Sequence, residues 1–185
     1  MFCPKCEADV ETTVREIDET YTVKGEDITI KAKVRFCATC GEDIWDEELD
    51  SQNLLRAYTE YRARHGLLQP HEIRAIREKY KLSQVAFARV LGLGEKSVTR
   101  YENGSIADMA QNNLIALTRY PDVFQKLLEL NQSKITKDDY NTAHSALDAL
   151  RCRVVRGGKV VFSYSDTTSM EFDTSKKRYW GELYA

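Results

Sequence analysis

Long hydrophobic runs are missing from this 185-residue chain. No stretch approaches the roughly eighteen apolar residues of a membrane-spanning helix. Glycine and proline are scarce, at 9 and 3 residues, which argues for a chain folded throughout. Histidine is as scarce as proline: there are 3, at His65, His71 and His144, and no Ser/His/Asp or paired-carboxylate constellation is legible around them. A non-enzyme is expected. The opening stretch MFCPKCEADV has neither the charged start nor the apolar core of a signal peptide, so the expected location is the cytoplasm. Thiols stay reduced there, and 5 cysteines point to metal sooner than to disulfides.

Net charge is also nearly absent, at −2, but the small total hides a strong segregation. Six Lys/Arg against fourteen Asp/Glu put residues 1–52 at −8, whereas seven basic and four acidic side chains put residues 72–104 at +3. Residues 151–185 carry that same balance. A nearly neutral protein therefore keeps a basic middle that can face phosphate, and an acidic head suited to a basic partner or simply to solvent.

What is present begins with Cys3-Pro-Lys-Cys6 and, thirty residues later, Cys37-Ala-Thr-Cys40-Gly41. Each Cys-x-x-Cys turn offers two thiolates from one knuckle, and two such turns complete the tetrahedral shell of Zn2+. Four thiolates leave no position for an activated water, so Cys3, Cys6, Cys37 and Cys40 are expected to hold a structural zinc ion. Independent thiols or a redox pair are the competing readings. Between the knuckles, Val10, Thr12 and Val14, then Tyr21 and Val23, then Ile28, Ile30, Ala32, Val34 and Phe36 alternate with polar residues around a Lys24-Gly25-Glu26-Asp27 turn. This predicts a small antiparallel sheet that needs the metal for stability.

From Asp46 the period becomes helical, with Leu49, Leu54, Leu55, Tyr58 and Tyr61 in step and acids in the first turn, until Gly66 and Pro70 break it. The helix is open to three readings: rigid connector, dimer contact, or cap on the sheet. Past Pro70, Ile73, Ile76 and Tyr80 predict a first buried stripe. Ser83-Gln84 opens a second helix with Val85, Phe87, Ala88 and Leu91 inside, Gly92-Leu93-Gly94 is the turn, and a third helix runs from about Glu95 to Asn103, burying Val98 and Tyr101. This is the spacing of a helix-turn-helix whose last member lies in the major groove of double-stranded DNA. Arg100 has the fork for guanine, and Lys96 reaches guanine or phosphate. Gln84, Ser97 and Thr99 suit phosphate anchoring. Glu95 either accepts from cytosine or merely favours a helix N-terminus.

Two more amphipathic patterns divided at Pro121 complete a five-helix bundle. Residues 133–185 add a helix opening at Thr136 or Lys137, then strand-like sequence with a Gly157-Gly158 turn and the aromatics Phe172, Tyr179, Trp180 and Tyr184. That tail is open to three readings: a hairpin packed on the bundle, a swapped strand, or a partner-binding segment. Cys152 stands alone and is read as a buried or incidental thiol. The expected class is α+β, with a zinc-binding β domain over 1–46, a helical linker over 47–70, a helix-turn-helix domain over 71–132 and an extension over 133–185.

With CPKC at 3–6, CATCGEDI at 37–44, LSQ at 82–84 and RYENG at 100–104, the chain resembles the MqsA-type antitoxins, a YgiT-type zinc finger joined to an Xre/Cro-like helix-turn-helix. The resemblance covers roughly residues 1–130. It implies a homodimer held through the helix-turn-helix domain, repression of its own operon at a palindromic operator, and a zinc domain that blocks a partner toxin, often a ribonuclease. By position, Cys3, Cys6, Cys37 and Cys40 match the zinc ligands, and Lys96 and Arg100 match the base-reading positions. Lys96 departs from the amide side chain of the best-known member, which implies a different operator sequence. The competing function is a zinc-finger/helix-turn-helix regulator of a prophage or other mobile element, with no toxin.

Overall fold

A computed structural model of the chain describes residues 1–151, 153–155, 159–164 and 168–173, with side chains as far as Leu150. It is α+β and divides into two compact units, residues 1–69 with 104–107 and residues 70–103 with 108–185.

The first unit contains β1 (Phe2–Cys3), β2 (Ala8–Asp9), β3 (Thr12–Val23), β4 (Glu26–Cys37), β5 (Asp43–Ile44) and α1 (Glu47–Arg64). β1 and β2 pair alone, and β3-β4-β5 form an antiparallel sheet. The two-residue loop Lys24-Gly25 has φ of 49° and 85°, the left-handed pair that matches the twist of the flanking strands. From it the β3–β4 ladder runs unbroken, Val23↔Glu26 to Thr12↔Cys37. Period-two patterning then sends Ile28 and Ala32 of β4 inward to full burial. From Ile17 to Val23 the inward residues of β3 are the odd-numbered ones, and Val14 is exposed, against the alternation expected from Val10, Thr12 and Val14.

Helix α1 lies on this sheet, its first turn capped by Asp46, which accepts from the amides of Glu48 and Leu49. It ends in a Schellman turn: Gly66, at φ 61°, donates to Ala63, and Leu67 to Arg62. Ala57 packs with Val23 and Ile28, and Tyr58, Tyr61 and Ile106 border that cluster. Leu54 and Leu55 remain substantially exposed, because the face of α1 turned to the sheet is set by Asn53 instead. The buried Asn53 amide accepts from the Lys33 N–H at 3.0 Å and donates to the Lys33 carbonyl at 2.9 Å, acting as one residue of a missing strand. Asn53→Ala leaves both backbone groups unpaired and is expected to cost about 1–3 kcal/mol, read as a lower denaturation midpoint.

The second unit contains α2 (Pro70–Lys79), α3 (Gln84–Val90), α4 (Ser97–Glu102), α5 (Met109–Leu117), α6 (Pro121–Leu130) and α7 (Lys137–Arg151). Tyr80 stacks on Phe124 with ring centroids 3.5 Å apart, and Phe87, Ile115 and Leu128 complete a fully buried centre. Thr136 opens α7 by accepting from the Asp139 amide. Beyond α7, β6 (Arg153–Val155), β7 (Lys159–Tyr164) and β8 (Thr168–Asp173) form an antiparallel sheet. The expected Gly157-Gly158 turn, Cys152, Tyr179, Trp180 and Tyr184 lie outside the described residues.

Candidate metal centre and nucleic-acid interface

Cys3 closes β1 and Cys37 closes β4, while Cys6 and Cys40 sit in the turns that follow. In the second knuckle the Cys37 carbonyl accepts from Gly41, whose φ of 75° requires a residue without Cβ strain. The Cys37 amide donates to the Glu42 carbonyl, and the Cys37 sulfur accepts from the amides of Thr39 and Cys40 at 3.3 and 3.4 Å. The four sulfurs converge within 4.8 Å of one another. Cys3 Sγ lies 3.6 Å from Cys40 Sγ, and Cys6 Sγ lies 3.9 Å from Cys37 Sγ. All four are free thiols, and the cluster can hold one metal ion.

The donors already favour charge at one corner. The Cys40 amide, helped by that of Thr39 and opposed by burial, pulls the Cys37 thiol down to about 6. Contact with Cys40, then burial, pushes Cys6 up to about 12. Little else holds this end together: Cys3, Cys37 and Ile44 are the buried residues of its cluster, with Cys6, Val10 and Cys40 packed around them.

In the second unit, Ser83 caps α3 by accepting from Ala86, and the helix ends in a Schellman turn in which Gly92, at φ 68°, donates to Arg89 and Leu93 to Ala88. That turn delivers α4, which starts two residues later than its sequence pattern suggests, with Glu95 and Lys96 in the approach. Val98 and Tyr101 are buried as expected. The Lys96 and Arg100 side chains are exposed and form no hydrogen bond or ion pair with any described residue. Glu95 instead pairs with Arg89, Nη2 to Oε1 at 2.5 Å, and Ser97 is buried. Gln84 and Thr99 meet each other: the Thr99 hydroxyl donates to the Gln84 carbonyl oxygen at 2.9 Å.

Behind that contact is a buried ion pair that no sequence motif marks. Glu102 accepts from Arg77 Nε at 2.6 Å, Arg77 Nη2 at 3.0 Å and Gln84 Nε2 at 2.7 Å, with Arg74 3.5 Å away. Burial raises this carboxyl, and the Arg77 guanidinium and Gln84 amide more than offset it, leaving it below the usual carboxylate value. The sequence did carry a signal. Glu102 is four residues from buried Val98, on the stripe that faces the core, and an acid there needs a cation.

Residues 1–130 match the family described as the antitoxin component of bacterial toxin-antitoxin system, MqsA. The chain belongs to the MqsA antitoxin family. As an antitoxin it has a toxin for a partner. No curated protein matches the chain. The family match ends at Leu130, so α7 and the β6–β8 sheet are additions to it. Among the described residues, no helix of this antitoxin is long and apolar enough to cross a membrane.

Proposed function

We propose that this antitoxin neutralises its toxin through the first unit and represses its own operon through the second, binding a palindromic DNA operator as a homodimer. One observation supports the DNA reading most: α3, the Gly92 turn and α4 present Arg100 and Lys96 outward and uncommitted, while Val98, Tyr101 and the Arg77–Glu102 pair hold α4 from behind. Arg100 reads a base by forking onto guanine O6 and N7, and Lys96 contacts guanine or phosphate. Gln84 and Thr99, bonded to each other, approach the backbone together, with Ser97 at the start of α4 and Glu95 held by Arg89. Exposed Met109, Leu117 and Tyr120 on and just after α5 supply an apolar surface for a second copy.

The ion is proposed to be zinc. Zn–S bonds of about 2.3 Å give a tetrahedron with sulfur–sulfur edges of roughly 3.8 Å. The observed 3.6 and 3.9 Å bracket that edge. All-thiolate ligation closes the shell, so the ion is structural and the protein acts by binding, not by catalysis. The acidic head, −8 over residues 1–52, suits a basic toxin such as a ribonuclease.

The test uses duplexes selected from a random pool by the full-length protein. Arg100→Ala is expected to lower the ratio of specific to non-specific affinity by about 5- to 150-fold, the loss of one bidentate contact at about 1–3 kcal/mol, with dimer and metal content unchanged. An unchanged ratio removes Arg100 from the readout.

A further inference from the structure

The two outer edges of the β3–β4–β5 sheet are treated differently by this fold. On β4, the outward backbone groups of Arg35 lie along β5, those of Lys33 are occupied by Asn53, and the Lys31 carbonyl accepts from Arg56. That edge is closed by three separate devices. β3 lies at the opposite edge and spans twelve residues without a bulge.

Which β3 groups are free follows from Lys33. Its N–H and C=O both point away from β3 to Asn53, so Lys33 and its neighbour Glu16 form a non-hydrogen-bonded pair, and the Glu16 N–H and C=O also point outward. Alternation extends this to Val14, Asp18, Thr20 and Thr22. None of these five residues has a backbone partner outside the β3–β4 ladder among the described residues. They line an open edge of roughly 27 Å. Natural sheets usually blunt so long an edge with bulges, proline or cover. Among the described residues this one carries none of those, although the same unit closes its other edge.

The side chains select the occupant. Glu16 and Asp18 stand on the solvent face at the rim, with Lys33 and Lys31 one strand further in; Asp18 pairs with Lys31 at 2.7 Å. A second copy pairing antiparallel about Ile17 sets Glu16 against Asp18 twice, which like-charge repulsion opposes. An incoming strand with Lys or Arg at those positions meets opposite charges instead. Exposed Val14 offers it an apolar anchor at one end.

We propose that the outer edge of β3, from Val14 to Thr22, is where the toxin docks, by adding a lysine- or arginine-bearing strand to this sheet. The proposal rests on the antitoxin reading and specifies its surface. Backbone pairing supplies affinity, and Glu16 and Asp18 fix register and sign.

Amide hydrogen exchange on the free, full-length, metal-loaded protein tests the edge without any partner. The amides of Val14, Glu16, Asp18, Thr20 and Thr22 are expected to exchange fast, and those of Thr13, Arg15, Ile17, Glu19 and Tyr21 slowly. Uniform protection means the edge is already covered and overturns the proposal. The second probe is the small protein encoded beside this gene, co-purified with it. Thr20→Pro removes an outward N–H that the β3–β4 ladder does not use, and Asp18→Lys reverses the rim charge. Each is expected to weaken the complex at least about tenfold, with metal stoichiometry and circular dichroism unchanged. A wild-type complex that both variants leave within about twofold defeats the proposal alone. If the wild-type protein forms no complex, the antitoxin reading of this pair fails, and the docking site fails with it.

Discussion

Cys37→Ser is expected to remove the metal and the fold of the first unit together. The sulfur lost is buried, accepts from two backbone amides and lies at the end of β4, where the second knuckle turns back along β5. Serine offers a poor zinc ligand at neutral pH, and the small cluster of Cys3, Cys37 and Ile44 is too small to replace a bound ion. Structural zinc in small modules is worth on the order of 10 kcal/mol or more of apparent folding free energy, so partial damage is not expected. The pH dependence has a fixed sign: protons compete for thiolates, so acidification releases the ion and a chelator reproduces the mutant at constant pH. Metal stoichiometry should fall to zero while the helical signal of α2 to α7 and the affinity for operator DNA remain. A variant that keeps its sheet after losing its metal would show that the β3–β4 hairpin and α1 suffice by themselves.

Arg77→Ala is expected to be the most damaging single change in the second unit. It strips the fully buried Glu102 carboxylate of its two guanidinium hydrogen bonds, leaving the Gln84 amide and the more distant, half-exposed Arg74. Breaking a buried pair from one side costs about 3–5 kcal/mol, since the abandoned charge has lost its water as well as its partner. Arg77→Ala paired with Glu102→Leu should recover much of that loss, because no charge is then left buried. Glu102 sits below its ordinary carboxylate value in the folded protein, so the stability it contributes is fully present above pH 4.5 and is lost as pH falls through its folded value. Thermal unfolding should therefore show the wild type converging on the mutant in acid. The same substitution loosens the Glu102 carboxylate that holds Gln84 and through it Thr99, so the proposed DNA affinity should fall more than the unfolded fraction accounts for. If affinity tracks folding alone, the network does no positioning.

Patterns within a few residues were readable from the sequence. The paired Cys-x-x-Cys knuckles, Ser83 as a cap and Gly92 as a helix stop each depend on local backbone chemistry and have that local role in the structure, and the expected Lys24-Gly25-Glu26-Asp27 turn narrows to Lys24-Gly25, with Glu26 and Asp27 already paired in β4. The α1 face was harder to read, because the expected Leu49/Leu54/Leu55 stripe competes with a polar anchor. Leu55 stays exposed while Asn53 goes inside, since burying an amide that completes two backbone hydrogen bonds outweighs burying one more leucine. Val85 likewise stays exposed at the start of α3, where the short helix turns Ala86, Phe87 and Ala88 inward.

Sequence alone determined the class of this protein: two thiolate knuckles around an alternating hairpin, then a run of short helices, because metal ligation, turn chemistry and periodicity act over a few bonds. Tertiary structure decided how the candidate polar residues are used. Glu95 is paired with Arg89, Gln84 and Thr99 are joined to buried Glu102, and the Arg100 and Lys96 side chains are left without partners among the described residues. Among the described residues it also closed one sheet edge and left the other open. Those outcomes depend on which charges and backbone groups come within about 3 Å across distant segments, a distance that no local pattern encodes.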